Sequence, residues 1–299
     1  MFYSNTKIGT FLSRPNRFLA HVMVDGKEVV CHVKNTGRLR ELLIPGVSVA
    51  VQFHPDAAET GRKTEYSLIA VEKPMRHHSN KAESPDPASD MTRIMAPSKD
   101  LTLVNIDSQA PIKDFTWVNI DSQAPNQVAY EWLTKLASES APTAIHDFNI
   151  SNSFSASLEN HIPETLLHPK NIRREVRYGG SRFDLSFTNE ADGGKPWLME
   201  VKGVTLDVDG TAMFPDAPTE RGVKHLEELT NAAENGFGAA VLFVIQMKGI
   251  SAFAPHAERH PAFAEALANA ARRGVHVWAY DCVVKEDSLQ IDAPVPVLL

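Results

Sequence analysis

The chain has few cysteines and no long apolar run. Only Cys31 and Cys282 occur among its 299 residues, and they are too few and too far apart in sequence for a disulfide framework or a zinc site. No stretch approaches the ~20 apolar residues that a membrane span requires. These absences predict a soluble protein of a reducing cytoplasm, with no membrane partner.

A surplus of positive charge is also lacking. The formal net charge is −7, which argues against nucleic-acid binding because such domains are often basic overall. The charge is unevenly distributed, however. Residues 1–74 hold ten Lys and Arg against seven Asp and Glu, a net of +3, and the remainder holds −10. This asymmetry favours a basic binding module at the N-terminal end.

Several common enzyme motifs are missing. The sequence contains no P-loop, no dinucleotide-binding glycine fingerprint and no nucleophile elbow. His256 and His260 are four residues apart, but the residues between them do not complete an HExxH zinc motif. Surface histidines are the favoured interpretation of this pair.

Residues 1–74 are predicted to form a small β-barrel domain. Phe18–Val24 and Glu28–Val33 flank an Asp-Gly turn of the kind that joins hairpin strands. Val47–Phe53 and Glu65–Glu72 are two further predicted strands. Several short strands with tight turns are typical of small barrels such as the OB fold.

Such barrels bind nucleic acid on a strand face through basic and aromatic side chains. The candidates in this domain are Arg14, Arg17, Phe18, Lys34, Arg38 and Arg40. For any one of them, an ordinary solvated surface position is an equally good interpretation.

Residues 75–117 are predicted to be a linker or insertion. The first part is polar and lacks a hydrophobic period. The octapeptide VNIDSQAP occurs at 104–111 and again at 118–125, and two copies are too few for a repeat architecture. The second copy leads into a predicted helix, Asn126–Ala137, with Asn126 as its cap. Glu131 on this helix is either an additional active-site carboxylate or a solvated charge.

The stretch from Gly179 to Gly203 is predicted to be a hairpin, which either carries an active site or is an ordinary hairpin with a surface Glu–Lys pair. Arg182–Phe187 and Trp197–Lys202 are strands around a polar, Gly-rich turn. Side chains two apart share a face of a strand, so Glu200 and Lys202 point the same way. Pairing around the turn brings Asp184 near Glu200. Two carboxylates suit Mg²⁺, and a lysine suits charge stabilisation at a phosphate.

The remainder of residues 118–299 alternates between strands and helices. Predicted elements are the helix Thr219–Asn235, the buried strand Gly238–Ile245, the helix Pro261–Arg273 and the strand Val275–Tyr280. This order predicts a mixed sheet covered by helices. Beside the hairpin, Glu175 is a candidate further acidic group, and Arg182 shares the face of Asp184 and is expected to pair with it or with a phosphate. At the start of the first of these helices, Arg221, Lys224 and His225 either reach a phosphate or are plain helix surface, and a buried histidine with satisfied hydrogen bonds is a third interpretation of His225.

Long motifs make the sequence similar to a known family. GGSRFDLSF, MEVKGVTL and FPDAPTERGVKHLEEL in the second half, with RPNRFLAHV and VNIDSQAPN before them, resemble the sugar fermentation stimulation protein A (SfsA) family. The resemblance implies an α/β (α+β) protein with an N-terminal OB-like barrel, a PD-(D/E)XK restriction-endonuclease-like domain and DNA as partner.

The leading functional hypothesis is therefore a DNA-binding protein with a metal-dependent nuclease site. Asp184 and Glu200 are the expected metal ligands and Lys202 the third catalytic residue, with Mg²⁺, or Mn²⁺ in its place, as cofactor. The expected DNA contacts are Arg14, Arg17, Arg38, Arg182, Arg221 and Lys224. The alternatives are a regulatory DNA-binding protein that retains the fold without cleavage, and a hydrolase of another phosphodiester such as RNA. The oligomeric state stays open, a homodimer being one option.

Overall fold

The computed structural model describes residues 1–35, 37–74, 115–138, 163, 166 and 168–299. The first octapeptide copy and most of the predicted linker lie outside the described residues. Residues 115–117, which sequence analysis placed in the linker, are the start of a strand. The expected boundary between residues 117 and 118 therefore falls inside a secondary-structure element.

The N-terminal domain is a closed five-stranded barrel. The strands follow the order β3-β2-β1-β4-β5, and a parallel pairing of β3 with β5, from Cys31↔Tyr66 to Val33↔Leu68, closes the barrel. This confirms the predicted OB-like architecture. The strand bounds are Thr6–Ser13 (β1), Leu19–Val24 (β2), Lys27–Val33 (β3), Ser48–Phe53 (β4) and Tyr66–Pro74 (β5).

A sixth strand, β6 (Phe115–Asn119), extends the barrel sheet. It pairs antiparallel with β5, from Ala70↔Asn119 to Pro74↔Phe115. The strand has only five residues and follows a long stretch without hydrophobic period, so periodicity gave no signal for it. It carries the chain directly from the barrel into the C-terminal domain.

The C-terminal domain is built on a six-stranded mixed sheet of order β15-β14-β12-β9-β8-β7. Its strands are Lys170–Tyr178 (β7), Ser181–Thr188 (β8), Pro196–Val204 (β9), Gly238–Ile245 (β12), His276–Lys285 (β14) and Ser288–Pro294 (β15). The helices are Ala124–Ser138 (α1), Glu220–Glu234 (α2) and Pro261–Arg272 (α3). A small separate sheet contains Leu206–Val208 (β10), Thr211–Phe214 (β11) and Ala252–Pro255 (β13).

Helices cover both faces of the large sheet. On one face, Val128 and Leu133 of α1 join a buried cluster with Met199 and Leu242. On the other, α2 and α3 contribute Leu226 and Phe263 to a cluster with Leu198 and Phe243. Every residue of β12 is buried, which explains its continuous apolar run. The predicted α/β class is confirmed.

Buried polar groups join the barrel to the C-terminal domain. The Nε2 atom of Gln246 donates to the backbone O of Asn119 at 3.0 Å, to its Oδ1 at 3.0 Å and to the backbone O of Asp121 at 3.2 Å. The carboxylate of Asp121 accepts from Tyr3 Oη at 3.3 Å and from Lys34 Nζ at 2.7 Å. Lys34, a candidate nucleic-acid contact, is thus engaged at the domain junction.

Tight packing at one glycine yields a stability prediction. A Cβ atom at Gly238 would lie 2.1 Å from the ring of the fully buried Trp197, and overpacking of a core typically costs ~1–3 kcal/mol. We expect Gly238→Ala to lower the free energy of unfolding by at least about this amount in chemical denaturation. In the Trp197→Phe background the same change should cost less, and equal costs in both backgrounds would contradict the assigned clash.

Candidate active site

The candidate active site lies where β8 and β9 separate. The two strands pair from Thr188↔Pro196 to Leu185↔Met199. One residue beyond, the side chain of Asp184 replaces a backbone carbonyl as hydrogen-bond acceptor. Its Oδ2 accepts a hydrogen bond from the Val201 N–H at 2.8 Å. The carboxylate is therefore held at the fork between the strands by the backbone of β9.

Asn126 holds the second oxygen of Asp184. Its Nδ2 donates to Asp184 Oδ1 at 2.6 Å. The structure corrects the expected capping role of Asn126, since α1 begins at Ala124 and Asp121 Oδ1 accepts the Gln123 N–H at 3.0 Å. Sequence reasoning missed this contact because it joins residues 58 positions apart.

Glu200 is the buried carboxylate of the site, only 4% exposed. Its Oε1 accepts from Lys202 Nζ at 2.5 Å and from His225 Nδ1 at 2.5 Å. Glu200 and Lys202 thus share a face, as strand alternation predicts. The Oε2 atom is buried and has no hydrogen-bond partner among the described residues.

His225 is held between Glu200 and the surface. Arg221 Nε donates to His225 Nε2 at 3.3 Å, so Nε2 is the acceptor and the Nδ1–H donates to Glu200. The imidazole is itself buried. Arg221, His225 and Glu200 therefore form a hydrogen-bonded chain that leads from the first turns of α2 to the fork.

The two carboxyl groups of the site are driven to opposite pKa shifts. Burial and the neighbouring charge of Glu200 raise the pKa of Asp184 to about 6. Burial also acts to raise the pKa of Glu200, but the hydrogen bond from His225 and the charge of Lys202 outweigh it and lower that pKa. Coupled carboxyls with separated pKa values are a recurrent property of functional sites.

The residues present fit a hard divalent cation. The part of the chain that the structure describes contains no group of three or more His, Cys, Asp or Glu side chains that could hold a metal ion, so Asp184 and Glu200 form a two-carboxylate set. Mg²⁺ is commonly held by one or two carboxylates and keeps several waters, whereas zinc sites use three or four protein ligands. The partnerless Oε2 of Glu200 is a ready oxygen ligand.

The other acidic candidates are engaged elsewhere. Glu175 Oε2 lies 2.6 Å from Arg182 Nε, and both side chains are more than half exposed. Arg182 is thus paired with Glu175 rather than with Asp184. Glu131 accepts from Gln127 at 2.8 Å and pairs with the amino group of Met1 at 2.6 Å.

Two basic candidates lie on the exposed side of the first turns of α2. Arg221 and Lys224 are exposed, and Lys224 makes two long contacts, 3.5 Å to the backbone O of Gly180 and 3.8 Å to Glu228. Through His225, Arg221 adjoins the Glu200 carboxylate. Arg221 therefore adjoins the fork, whereas Lys224 lies beside the turn between β7 and β8.

Arg14 on the barrel acts as a brace. Its Nη1 donates to the backbone O of Gly37 and Arg38 at 2.9 and 2.8 Å, and its Nη2 donates to those of Arg17 and Asn35 at 2.7 and 2.8 Å. The four terminal N–H groups of its guanidinium are thus engaged by the protein. Its assigned role as a DNA contact stays a prediction, and its observed role is to hold the loop.

The braced loop forms one wall of a basic groove of about 520 Å³ on the barrel. Arg17, Arg38 and Arg40 line this groove and are exposed. The same loop touches the C-terminal domain, because a Cβ atom at Gly37 would lie 2.5 Å from Asp216 Oδ2. Asp216 precedes α2, so the loop beside the groove is anchored next to the helix that carries Arg221 and His225.

Comparison with known proteins agrees with this architecture. The profile described as "Sugar fermentation stimulation protein RE domain" matches residues 123–288, and "SfsA N-terminal OB domain" matches residues 12–78. The chain belongs to the SfsA family. A sugar fermentation stimulation protein homolog of Desulfitobacterium hafniense strain Y51 is 41% identical over 97% of this chain and 95% of the relative.

Other SfsA relatives extend over the whole length. A homolog of Ruminiclostridium cellulolyticum is 38% identical over 100% of both chains. The structure of Pyrococcus furiosus SfsA in complex with Ca²⁺ has a TM-score of 0.67 and 22% identity, and covers 100% of this chain and 98% of that one. At that identity the similarity shows a shared SfsA fold. Within the described residues, no helix has the length and apolar character to cross a membrane.

The brace predicts a contrast between two neighbouring arginines. Arg14→Ala removes four hydrogen bonds from a half-buried guanidinium, and each such bond contributes ~0.5–1.5 kcal/mol net. We expect it to lower the free energy of unfolding by ~2 kcal/mol or more. Arg17→Ala, at an exposed position, should change it by less than ~0.5 kcal/mol. Equal effects of the two changes in denaturant titrations would contradict the brace.

Proposed function

We propose that this protein binds DNA and hydrolyses its phosphodiester bonds at a Mg²⁺-dependent site of the PD-(D/E)XK type. The observation that carries the proposal is the meeting of Asp184, Glu200 and Lys202 at the β8–β9 fork, with one buried oxygen of Glu200 left without a partner. An unsatisfied buried carboxylate oxygen costs stability, and a bound cation would supply the missing partner.

Asp184 and Glu200 would hold the ion. When bound, Mg²⁺ supplies positive charge that polarises a phosphate and lowers the pKa of water. Asn126 and the Val201 N–H fix the orientation of the Asp184 carboxylate. His225 fixes that of Glu200 through Oε1 and leaves Oε2 available.

Lys202 is the residue proposed to act on the phosphate. Its ammonium group lies 2.5 Å from Glu200 Oε1, so it is already placed at the metal-binding carboxylate. A positive charge held beside a phosphoryl group stabilises the negative charge that develops in the transition state. Arg221 and Lys224, exposed on the adjacent turns of α2, would neutralise neighbouring phosphates.

DNA is the proposed substrate because positive charge lines the barrel groove and the exposed side of the first turns of α2. Arg17, Arg38 and Arg40 line the barrel groove, and the loop beside that groove touches the segment before α2. Phosphate neutralisation by Lys and Arg dominates the affinity of proteins for DNA. Residues 1–74, which contain the groove, carry a net charge of +3, whereas the remainder of the chain carries −10. Free, buried Cys31 and Cys282 accord with a cytoplasmic location.

Binding without cleavage is the second candidate function. It is favoured by the close engagement of Lys202 and His225 with the same Glu200 oxygen, which gives that oxygen a charged and a hydrogen-bonding partner without a metal ion.

Three substitutions separate these functions. Asp184→Asn and Glu200→Gln keep the side-chain shape but remove charge, so we expect them to abolish Mg²⁺-dependent cleavage while DNA binding without metal is retained. Lys202→Ala should leave metal binding largely intact and lower the cleavage rate by ~10²-fold or more. Cleavage of supercoiled and linear DNA, with calorimetric Mg²⁺ titration, measures both quantities.

Glu175→Gln is the matched control. It makes the same carboxylate-to-amide change at an exposed ion pair with Arg182, and it should cleave like wild type. Undiminished cleavage by the Asp184 and Glu200 variants would place the active site elsewhere. Wild-type protein that binds DNA but cuts none with Mg²⁺ or Mn²⁺ would establish binding alone.

The groove predicts a salt dependence. Arg38→Ala and Arg40→Ala should each weaken DNA binding across sequences and reduce the slope of log affinity against log salt by ~0.9 for each phosphate that the variant no longer neutralises. Lys27→Ala, an exposed cation at the β2–β3 turn of the same barrel, should leave the slope unchanged. If all three variants show the same slope of log affinity against log salt in binding titrations, the DNA-binding surface does not include the groove.

A further inference from the structure

Phe18 is an exposed aromatic side chain on a fixed backbone. Phe18 is 56% exposed to solvent. The Asn16 side chain accepts from the Phe18 N–H at 2.8 Å and from the Leu19 N–H at 3.0 Å, and the Val33 N–H donates to the Phe18 carbonyl at 2.7 Å. Neighbouring backbone groups therefore hold the position from which the ring projects.

The ring borders a second concavity on the barrel, of about 490 Å³, which we call the Phe18 pocket. Its lining comprises Asn16, Phe18, Leu19, His32, Arg62, Lys63 and Thr64. The guanidinium of Arg62 is held at this wall, with Nη2 donating to Ser67 Oγ at 2.8 Å and Nε to the Thr64 carbonyl at 3.4 Å. The pocket thus combines an aromatic face with two cationic side chains, Arg62 and Lys63.

The Phe18 pocket is continuous with the basic groove. Asn16 lines both concavities, and Arg17 of the groove directly precedes Phe18. Among the described residues, neither lining includes Asp or Glu. The combined surface therefore presents positive charge on both sides of an exposed ring.

We propose that the Phe18 pocket receives an unpaired base of single-stranded nucleic acid while the adjoining arginines bind its phosphates. The proposal rests on the proposed DNA binding and specifies which form of the polymer this surface takes. A chain of phosphates complements the charge of Arg17, Arg38, Arg62 and Lys63. An unpaired base offers a π-face for stacking on the ring of Phe18, which the stacked bases of a duplex do not.

His32 supports this assignment from inside the pocket. Burial, followed by the charges of Arg62 and Lys34, lowers the pKa of His32. Its ring is therefore neutral near pH 7 and adds an uncharged edge with hydrogen-bonding nitrogens. A pocket with one aromatic face, one neutral polar ring and cations at its wall is suited to a heterocyclic base attached to a phosphate.

Other exposed apolar side chains lack this setting and serve as controls. Phe115 on β6 is 46% exposed but lines neither concavity. Phe115→Ala therefore removes the same ring from the same sheet without touching the proposed base site. Phe18→Leu retains apolar area and removes the π-face, whereas Phe18→Trp retains a stacking surface.

The experiment measures affinity by fluorescence anisotropy without divalent metal. The probes are a short labelled single strand, the corresponding duplex, and the same single strand with abasic sites in place of bases. We expect Phe18→Ala and Phe18→Leu to weaken binding of the intact strand by at least about fivefold, the lower end of base–aromatic stacking. The affinity of these two variants for the abasic strand and for the duplex should equal that of wild type. Phe18→Trp and Phe115→Ala should bind like wild type.

Each contrary result overturns a defined statement. If Phe18→Ala weakens binding of the intact and abasic strands equally, Phe18 contacts the sugar-phosphate backbone and not a base. If Phe18→Ala binds the intact strand as tightly as wild type does, the base site is overturned. In either case, duplex binding by wild type still supports DNA binding. Equal effects of Phe115→Ala and Phe18→Ala would also overturn the proposal. Wild-type protein that binds none of the probes would overturn both the base site and the proposed function.

Discussion

The separation of β8 from β9 is the constraint on which the candidate active site depends. A buried backbone N–H must find an acceptor, and where the ladder between these strands ends the carboxylate of Asp184 accepts from Val201. The side chain that completes the backbone hydrogen bonding is thereby fixed beside Glu200. Asn126 and His225 then hold one carboxylate each, from helices on opposite faces of the sheet. The same residues therefore form the candidate active site and end the pairing of the two strands.

The position of the barrel relative to the C-terminal domain depends on a second set of polar contacts. Gln246, at the end of the fully buried β12, reaches Asn119 and Asp121, and Lys73 pairs with Asp207 across the same junction. Arg14 holds the loop that touches Asp216. Polar groups at a buried contact must be matched on both sides, so they fix the relative placement of the two domains more strictly than apolar packing alone. These contacts thus hold the basic groove at a fixed position relative to α2.

Local periodicity predicted the main strands and helices, and the family resemblance implied the OB-like barrel and the α/β class. Alternation over Trp197–Lys202 placed Glu200 and Lys202 on one face, and the uninterrupted apolar run of β12 indicated a strand covered on both sides. The roles of Asn126 and Arg14 could not be predicted. Their partners lie 58 and up to 24 residues away, and no local pattern distinguishes an arginine that binds four carbonyls from one that faces solvent.

The junction also bears on how the protein forms as it is synthesised. The strands that close the barrel are complete at Pro74, and domains generally fold as units from the N-terminus. Tyr3 and Lys34, however, find their partners in Asn119 and Asp121, and Asn119 in turn accepts from Gln246. When the barrel emerges from the ribosome, the side chains of Tyr3 and Lys34 are therefore still hydrated. The set of buried hydrogen bonds at the junction is complete only when the last third of the chain, which contains Gln246, has been translated.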